Sequence, residues 1–166
     1  MPRQKKYWLM KTEPETFSIE DLARKGTEAW DGVRNYRARN FMRDEMAQGD
    51  LVLFYHSSTD PPGVAGVARV ASAAYPDPSQ FKRGGKYYDA KSTKAKPRWW
   101  LVDVEFVEKF KNYVPLFVMR EDPALVGMWL LRRGMRLSIQ PVAKSQFQRI
   151  VTLGRSRKQS GFGSAG

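Results

Sequence analysis

The reactive side chains of this sequence suit the binding of a flat, polar ligand better than catalysis. The chain contains no cysteine and one histidine, which excludes thiolate nucleophiles, disulfides and metal sites built from several cysteines or histidines. The glycine-rich run 83–86 lacks the spacing and the hydroxyl residue of a phosphate-binding loop. No G-x-S-x-G nucleophile motif occurs. We therefore expect no metal, no other cofactor and no catalytic residues.

An enzymatic alternative stays open on three residues. His56 precedes two serines, but adjacent residues of a strand point to opposite faces, so a packing or binding role is favoured over proton transfer. Glu13 and Glu15 offer paired carboxylates, although their position beside a proline is equally typical of a turn. A small enzyme acting on nucleic acid or on an anionic metabolite would use Glu13, Lys11 and His56 as its acid and base groups.

The charge balance favours a polyanionic partner. The 166 residues carry 29 Lys and Arg against 17 Asp and Glu, a formal net charge of +12. Residues 82–98 hold seven basic residues and one acidic one, and the N-terminus and the last 24 residues are also basic. Three such runs on a small chain predict a nucleic-acid-binding face. The candidate phosphate-binding residues are Arg37, Arg39, Arg43, Lys86, Lys91, Lys94, Lys96 and Arg98.

The same composition bears on compartment and assembly. The absence of cysteine is consistent with a reducing compartment, and no apolar run is long enough for a membrane span or a signal peptide. We expect a cytoplasmic monomer without membrane contact, associated with the nucleoid in a bacterium or nuclear in a eukaryote.

One tryptophan lies where a base could stack. Trp30 precedes an Asp31-Gly32 turn and Asn35, which keeps a large ring close to a loop. Stacking on an aromatic ring contributes roughly 1–3 kcal/mol per base. Amide, carboxylate or hydroxyl groups then read the edge of the base. From spacing alone, a core position and a stacking position for Trp30 both remain open.

Periodicity and turn signals predict the elements that position these residues. Strands are predicted at 7–11, 28–30, 51–56, 63–73, 98–110 and 136–142. In the run 98–110, Trp100 and Val102 point to one face and Trp99 to the opposite, polar face. Ser18 with Asp21 predicts a helix start, and an apolar stripe predicts a second helix at 35–46. A final amphipathic helix is expected to end at Gly154.

These elements predict one small α+β domain. Short helices combined with five or six strands point to a curled sheet or barrel spanning 1–154. Gly66 inside a strand predicts a bend or a close backbone approach, and Pro141 predicts a sheet edge. Residues 155–166 are basic and rich in Gly and Ser, so a disordered tail is expected there.

Several motifs, in order, resemble those of the EVE domain family. The opening segments 7–14 (YWLMKTEP) and 17–22 (FSIEDL) carry the first signature, 30–40 (WDGVRNYRARN) the second, and 49–57 (GDLVLFYHS) the third. Further matches lie at 63–66, 75–77, 87–89 and 137–142. Together they extend from about residue 6 to residue 153, so the resemblance does not rest on a single motif.

The resemblance implies a PUA-like fold, a bent mixed β-barrel flanked by short helices. It also implies a non-catalytic module that reads a modified base flipped into an aromatic pocket. That base would be methylated or hydroxymethylated cytosine in DNA, or a modified base in RNA. Carried over by motif, the pocket residues are Lys11, Thr12, Glu13, Trp30, Gly32, Val33, Asn35, Phe54, His56, Ser57, Ser138 and Gln140. A second aromatic wall is expected from Phe54, Trp99 or Tyr88.

Overall fold

A curled, six-stranded mixed sheet organises the computed structural model, which describes residues 3–156. Its strands are β1 (Tyr7–Thr12), β2 (Thr27–Ala29), β3 (Leu51–His56), β4 (Gly63–Val70), β7 (Asp103–Pro115) and β8 (Ile139–Val142), in the spatial order β2-β7-β4-β3-β1-β8. Strands β1 and β3 pair in parallel and the other neighbours are antiparallel. A second, two-stranded sheet contains β5 (Tyr75–Pro76) and β6 (Trp100–Leu101). The α+β, PUA-like fold class predicted from the sequence is confirmed.

Short helices connect and cover the strands. The α-helices are α1 (Ile19–Lys25), α2 (Tyr36–Asn40), α3 (Leu116–Arg120) and α4 (Lys144–Arg155). A π-helical turn at Phe41–Glu45 continues α2, and 3₁₀ turns lie at Pro78–Phe81, Pro123–Leu125 and Trp129–Leu131. None of the helices within residues 3–156 is long and apolar enough to cross a bilayer.

The start of α1 shows why local sequence predicted it well. Ser18 accepts a hydrogen bond from the backbone N–H of Asp21, and the Asp21 carboxylate accepts one from the backbone N–H of Ser18. This reciprocal capping box satisfies two donors that the first turn leaves free. Gly26 ends the helix with φ +86°.

Both faces of the sheet are covered by apolar residues. Adjacent residues of a strand point to opposite faces, and β1 and β3 contain consecutive buried apolar residues. Met10 and Phe54 belong to a core that also holds Trp30, Ala38 and Met42. Leu9 and Leu53 face a second core, which α3 and α4 help to close. The first core therefore supports the loop that contains Trp30.

Two predictions about sheet geometry agree with the structure. A Cβ on Gly66 would collide with the backbone carbonyl of Glu108, so glycine permits the close approach of β4 and β7. Pro141 lies on β8, an edge strand opposite Trp8, where a missing N–H disrupts no inner pairing.

Three sequence-based expectations about structure are wrong in detail. Trp99 was predicted on a polar face, but it is 6% exposed and its ring stacks on Tyr36 with 4.7 Å between centroids. Gly154 does not end α4, which continues to Arg155. The residue is glycine for another reason, since a Cβ there would collide with the Phe110 ring. The predicted tail begins too early, since Arg155 is the last residue of α4 and pairs with Glu108. Residues 157–166 of that predicted tail lie outside the described residues.

Replacing Gly154 with alanine is expected to lower the free energy of unfolding by about 1–3 kcal/mol, because the added methyl group overpacks the buried Phe110 ring. Thr152→Ala, at an exposed position of the same helix, serves as the control and should stay within about 0.5 kcal/mol of the parent. Urea unfolding of the three proteins measures the difference. Equal stability of both variants would refute the packing role of Gly154.

Candidate nucleic-acid interface

A cavity of about 380 Å³ opens where the Trp30 loop meets the ends of β1 and β8. We call it the Trp30 cavity. Its lining residues are Lys11, Thr12, Thr16, Phe17, Glu28, Ala29, Trp30, Asp31, Gly32, Val33, Arg34, Asn35, Tyr87 and Ser138. This volume lies at the small end of the range for ligand sites, about 300–1,000 Å³. It therefore suits one nucleobase better than a large ligand.

Trp30 is both a wall of this cavity and a core residue. Its backbone N–H donates to the carbonyl of Val102 at 3.0 Å, which ties the loop to the end of the sheet. The indole is 9% exposed and meets the Phe54 ring edge-on, at 5.8 Å between centroids. Trp30 is thus a core residue that also borders the cavity, and its role as a stacking surface stays a prediction.

Tyr87 supplies a second aromatic surface. Its ring lies directly against Gly32, where an added Cβ would be 2.6 Å from the ring atom Cζ. Gly32 also has φ +83°, so glycine is required there for both reasons. Tyr87 lines the Trp30 cavity, whereas Phe54, Trp99 and Tyr88, from which a second aromatic wall was expected, do not.

Arg34 fixes Tyr87 in place. Its guanidinium lies between two rings, 5.3 Å from the Tyr87 centroid and 5.1 Å from that of Trp99. It also donates to the Tyr87 carbonyl at 2.9 Å and to the Asp77 carboxylate at 3.2 Å. Because Arg34 and Tyr87 are far apart in sequence, this cation–π and hydrogen-bond clamp joins the loop after β2 to the loop before β6.

The Asp77 carboxylate holds both Arg34 and the backbone of Gly32 by hydrogen bonds. It is 1% exposed and accepts hydrogen bonds from the Gly32 N–H at 2.8 Å and from Ser79. Burial alone would raise its pKa, but the bonds from Ser79, Gly32 and Arg34 together hold the pKa of Asp77 below its ordinary value. Asp77 is therefore an ionised structural group that fixes the backbone of the Trp30 cavity.

Asp31 is the carboxylate best placed to meet a ligand. It lines the Trp30 cavity, it is exposed, and its carboxylate forms no ion pair with another side chain of residues 3–156. Burial raises the pKa of Asp31, and the negative charges of Asp77 and Glu28 add to that effect. A ligand that donates a hydrogen bond to this carboxylate would relieve the mutual repulsion of the acids.

A second, more open cavity of about 590 Å³ adjoins the first. We call it the polar groove. It is lined by Lys11, Thr12, Glu13, Thr16, Ser57, Lys86, Tyr87, Met135, Arg136 and Ser138. Five of these residues, Lys11, Thr12, Thr16, Tyr87 and Ser138, also line the Trp30 cavity. The two cavities are therefore continuous parts of one depression.

The structure brings together most of the pocket residues that the resemblance implied. Seven of the twelve border the Trp30 cavity, namely Lys11, Thr12, Trp30, Gly32, Val33, Asn35 and Ser138. Glu13 and Ser57 line the polar groove. Hydrogen bonds between the ends of β1, β3 and β8 hold this edge together, from Lys11 to the Ser138 carbonyl and from Ser57 to the Thr12 carbonyl, both at 2.8 Å.

The remaining three residues, Phe54, His56 and Gln140, border neither cavity. Phe54 has no exposed surface and packs beneath Trp30. Gln140 is also fully buried, and its side-chain amide donates to the Leu137 carbonyl at 2.8 Å. His56 Nε2 accepts a hydrogen bond from the Ile19 N–H at 3.1 Å, so its imidazole holds the start of α1. These residues shape the site from the core.

Asn35 has a structural task that its position did not reveal. Its side-chain oxygen accepts from the Ala38 N–H at 2.9 Å and caps α2. Asn and Ala differ by about 1 kcal/mol at such a cap. Asn35 thus has a structural role in capping α2, and its role in reading a base edge stays a prediction.

His56 is expected to make the protein less stable in mild acid. Burial lowers the pKa of His56 below 6.5, with Lys109 acting in the same direction and Glu20 opposing it. The unfolded chain therefore takes up the proton first, so the free energy of unfolding should fall as the pH decreases below about 6.5. The decrease should level off once the folded protein is protonated as well.

Urea unfolding at a series of pH values measures this effect in the parent and in His56→Gln. The difference in stability between the two proteins should change over that pH range. A pH-independent difference would show that His56 does not bond to the helix as described.

The candidate phosphate-binding residues fall into two groups. Arg39 and Arg43 are engaged internally: Arg39 donates to the Arg98 carbonyl at 2.6 Å, and Arg43 pairs with Asp44. The predicted role of these two residues in phosphate binding stays a prediction. The remaining candidates are Arg37 over the Trp129 ring, Arg98 near the Tyr36 hydroxyl, Lys86 in the polar groove, and the exposed Lys91, Lys94 and Lys96.

Sequence reasoning missed Asp31, Arg34, Tyr87 and Arg136 as site residues. Asp31 and Arg34 lie within the second EVE-like motif, and Tyr87 within another, so the motifs contained a signal for them. Thr16, Phe17, Glu28, Ala29 and Met135 were also missed. The described residues contain no group of three histidine or acidic side chains that could hold a metal ion.

The curled sheet and its aromatic cavity define a PUA-like domain of one particular family. The EVE domain model matches residues 6–153, and the chain belongs to that family. It is 41% identical to human thymocyte nuclear protein 1, with 89% of this chain and 73% of that protein covered.

Solved structures give the same result. A Pseudomonas putida protein is 49% identical with a TM-score of 0.84, covering 89% of this chain and 98% of that one. The human THYN1 protein, in complex with DNA containing 5-methylcytosine, is 39% identical with a TM-score of 0.85 and covers 92% of this chain and 99% of that one.

Proposed function

We propose that this protein is a non-catalytic DNA-binding module that reads a modified cytosine, 5-methylcytosine first, by accepting the flipped base in the Trp30 cavity. The observation that carries the proposal is one cavity that combines aromatic residues, Trp30 and Tyr87, with the Asp31 carboxylate. The human relative in complex with 5-methylcytosine-containing DNA supports the choice of ligand.

Each chemical feature of the base has a matching surface in the cavity. Its flat faces stack on Trp30 and Tyr87, which contributes roughly 1–3 kcal/mol per base. The exocyclic amine of cytosine donates to the Asp31 carboxylate. The 5-methyl group contacts apolar surface from Phe17 and Val33. Burying one such group contributes about 0.8 kcal/mol, or about fourfold in affinity.

The enzymatic alternative draws less support from the geometry. His56 lines neither cavity, and its Nε2 already accepts a hydrogen bond from Ile19. Glu13 lies in the polar groove and accepts from the Ser58 hydroxyl at 3.2 Å. The supposed acid and base groups are therefore not gathered around one substrate.

Binding of three duplexes that differ at a single cytosine tests the proposal. Fluorescence anisotropy should give about fourfold or greater preference for 5-methylcytosine over cytosine, with the hydroxymethylated duplex and a matching RNA as further probes. Mass spectrometry of the recovered DNA should show the base unchanged. Equal affinity for methylated and unmodified DNA would refute the reader, and a converted base would support the enzyme.

A further inference from the structure

We infer that the polar groove is a phosphate subsite, which binds the backbone phosphate next to the base held in the Trp30 cavity. This inference rests on the proposed function, because it assigns the groove to the same nucleotide. The two cavities share five lining residues, so a base in one leaves its sugar and phosphate facing the other.

The charged side chains that line the polar groove are mostly positive. Lys11, Lys86 and Arg136 line it, against the single acidic side chain of Glu13. None of these three cations pairs with a carboxylate anywhere in residues 3–156. Arg69 and Arg149, elsewhere on the surface, each hold an acidic partner. Other cations of residues 3–156, such as Lys111 and Arg120, also lack a carboxylate partner, but three such cations line this one groove.

The three cations approach the groove from separate parts of the fold. Lys11 comes from the end of β1, Lys86 from the loop before β6, and Arg136 from the segment before β8. Lys86 and Arg136 are exposed, and Lys11 is half-buried. Lys86 and Arg136 thus line one space from two sides, while the Lys11 ammonium lies 5.6 Å from the centroid of the Tyr55 ring. The hydroxyls of Thr12 and Ser57 already donate to backbone carbonyls, so the two exposed cations are the donors for phosphate oxygens.

A neutral linkage in the DNA tests the subsite directly. One phosphate at a time, immediately 5′ or 3′ of a single 5-methylcytosine, is replaced by an uncharged methylphosphonate. We expect at least one of these two replacements to weaken binding by about tenfold, because a charge-assisted contact is lost. The same replacement five linkages away should have a smaller effect.

Variants connect that loss to the groove. In Lys86→Ala/Arg136→Ala, the flanking replacement should cost little, since the two exposed cations of the groove are already missing. Lys111→Ala/Arg120→Ala removes two exposed cations that do not line the groove and should retain the full loss. Melting curves of all variants establish that they are folded.

The outcomes separate the subsite from the reader. If neither flanking replacement weakens binding, or if the loss persists in Lys86→Ala/Arg136→Ala, the subsite is refuted. The proposed function would not be affected by that result, because it is tested separately by the preference for methylated over unmodified DNA. A loss that is present in the parent and the control variant and absent from the groove variant supports the subsite.

Discussion

Replacing Asp31 with asparagine is expected to reduce affinity for 5-methylcytosine about 10- to 100-fold, since it removes a charged acceptor worth about 1.5–3 kcal/mol. The amide of the variant donates hydrogen bonds as well as accepting them. It can therefore bond to the O4 of thymine, which carries the same methyl group as 5-methylcytosine. The variant should lose its preference for 5-methylcytosine over thymine, or reverse it.

Single-stranded oligonucleotides that differ only in 5-methylcytosine or thymine measure this preference without the cost of opening a duplex. Stability provides the control: Asp31→Asn removes a charge that Asp77 and Glu28 repel, so the melting temperature should not fall. An Asp31→Asn protein that still prefers 5-methylcytosine would show that another group reads the base edge.

The proposed role of the Asp31 carboxylate also predicts that the preference for 5-methylcytosine depends on pH. Ionised Asp31 accepts from the cytosine amine more strongly than the neutral acid does, and burial raises its pKa above that of an ordinary aspartate. The preference for 5-methylcytosine over thymine should therefore weaken in acid, beginning at a higher pH than an ordinary aspartate would give. In Asp31→Asn this dependence should be absent. Oligonucleotide titrations at several pH values provide the comparison.

Trp30→Ala is expected to lower the free energy of unfolding by about 3–5 kcal/mol, because it empties a buried site against Phe54. That loss is a large part of the stability of a small domain, about 5–15 kcal/mol. A loss of binding in this variant could therefore come from unfolding as well as from the missing ring. A smaller substitution is needed to measure the contribution of the ring to binding alone.

Trp30→Phe keeps an aromatic ring and should remain folded, while offering a smaller surface to the base. We expect it to reduce the preference for 5-methylcytosine over cytosine, with most of the affinity for unmodified DNA retained through phosphate contacts. Phe117→Ala, at a 60% exposed position outside both cavities, is the control. A folded Trp30→Phe protein with the parent's affinity and preference would show that the additional surface of the indole does not contact the base.

Local signals in the sequence were sufficient for much of the fold. The Ser18–Asp21 capping box and the apolar run 51–56 each depend on neighbouring residues, and both appear as predicted. Gly154 was mistaken for a helix end because its reason for being glycine is Phe110, which lies far away along the chain. Trp99 was assigned to a polar face because a regular alternation was assumed between β6 and β7.

The candidate site was predictable to the extent that motifs cover it. Trp30, Gly32 and Ser138 border the cavity, as the family resemblance implied. Periodicity could not reveal the clamp of Arg34 on Tyr87, because it joins two loops through a cation–π contact. It also could not show that Asn35 caps α2. Such roles depend on the distances between elements, which follow from the packing of the whole sheet.

The most direct test of base extrusion is the effect of mispairing on affinity. Flipping a base costs a few kcal/mol, and least when the base is mismatched. A duplex with 5-methylcytosine opposite adenine should therefore bind about fivefold or more tightly than the same duplex with 5-methylcytosine opposite guanine. Moving the mismatch several base pairs away should remove this gain. Equal affinity for the paired and mispaired 5-methylcytosine would contradict entry of the flipped base into the Trp30 cavity.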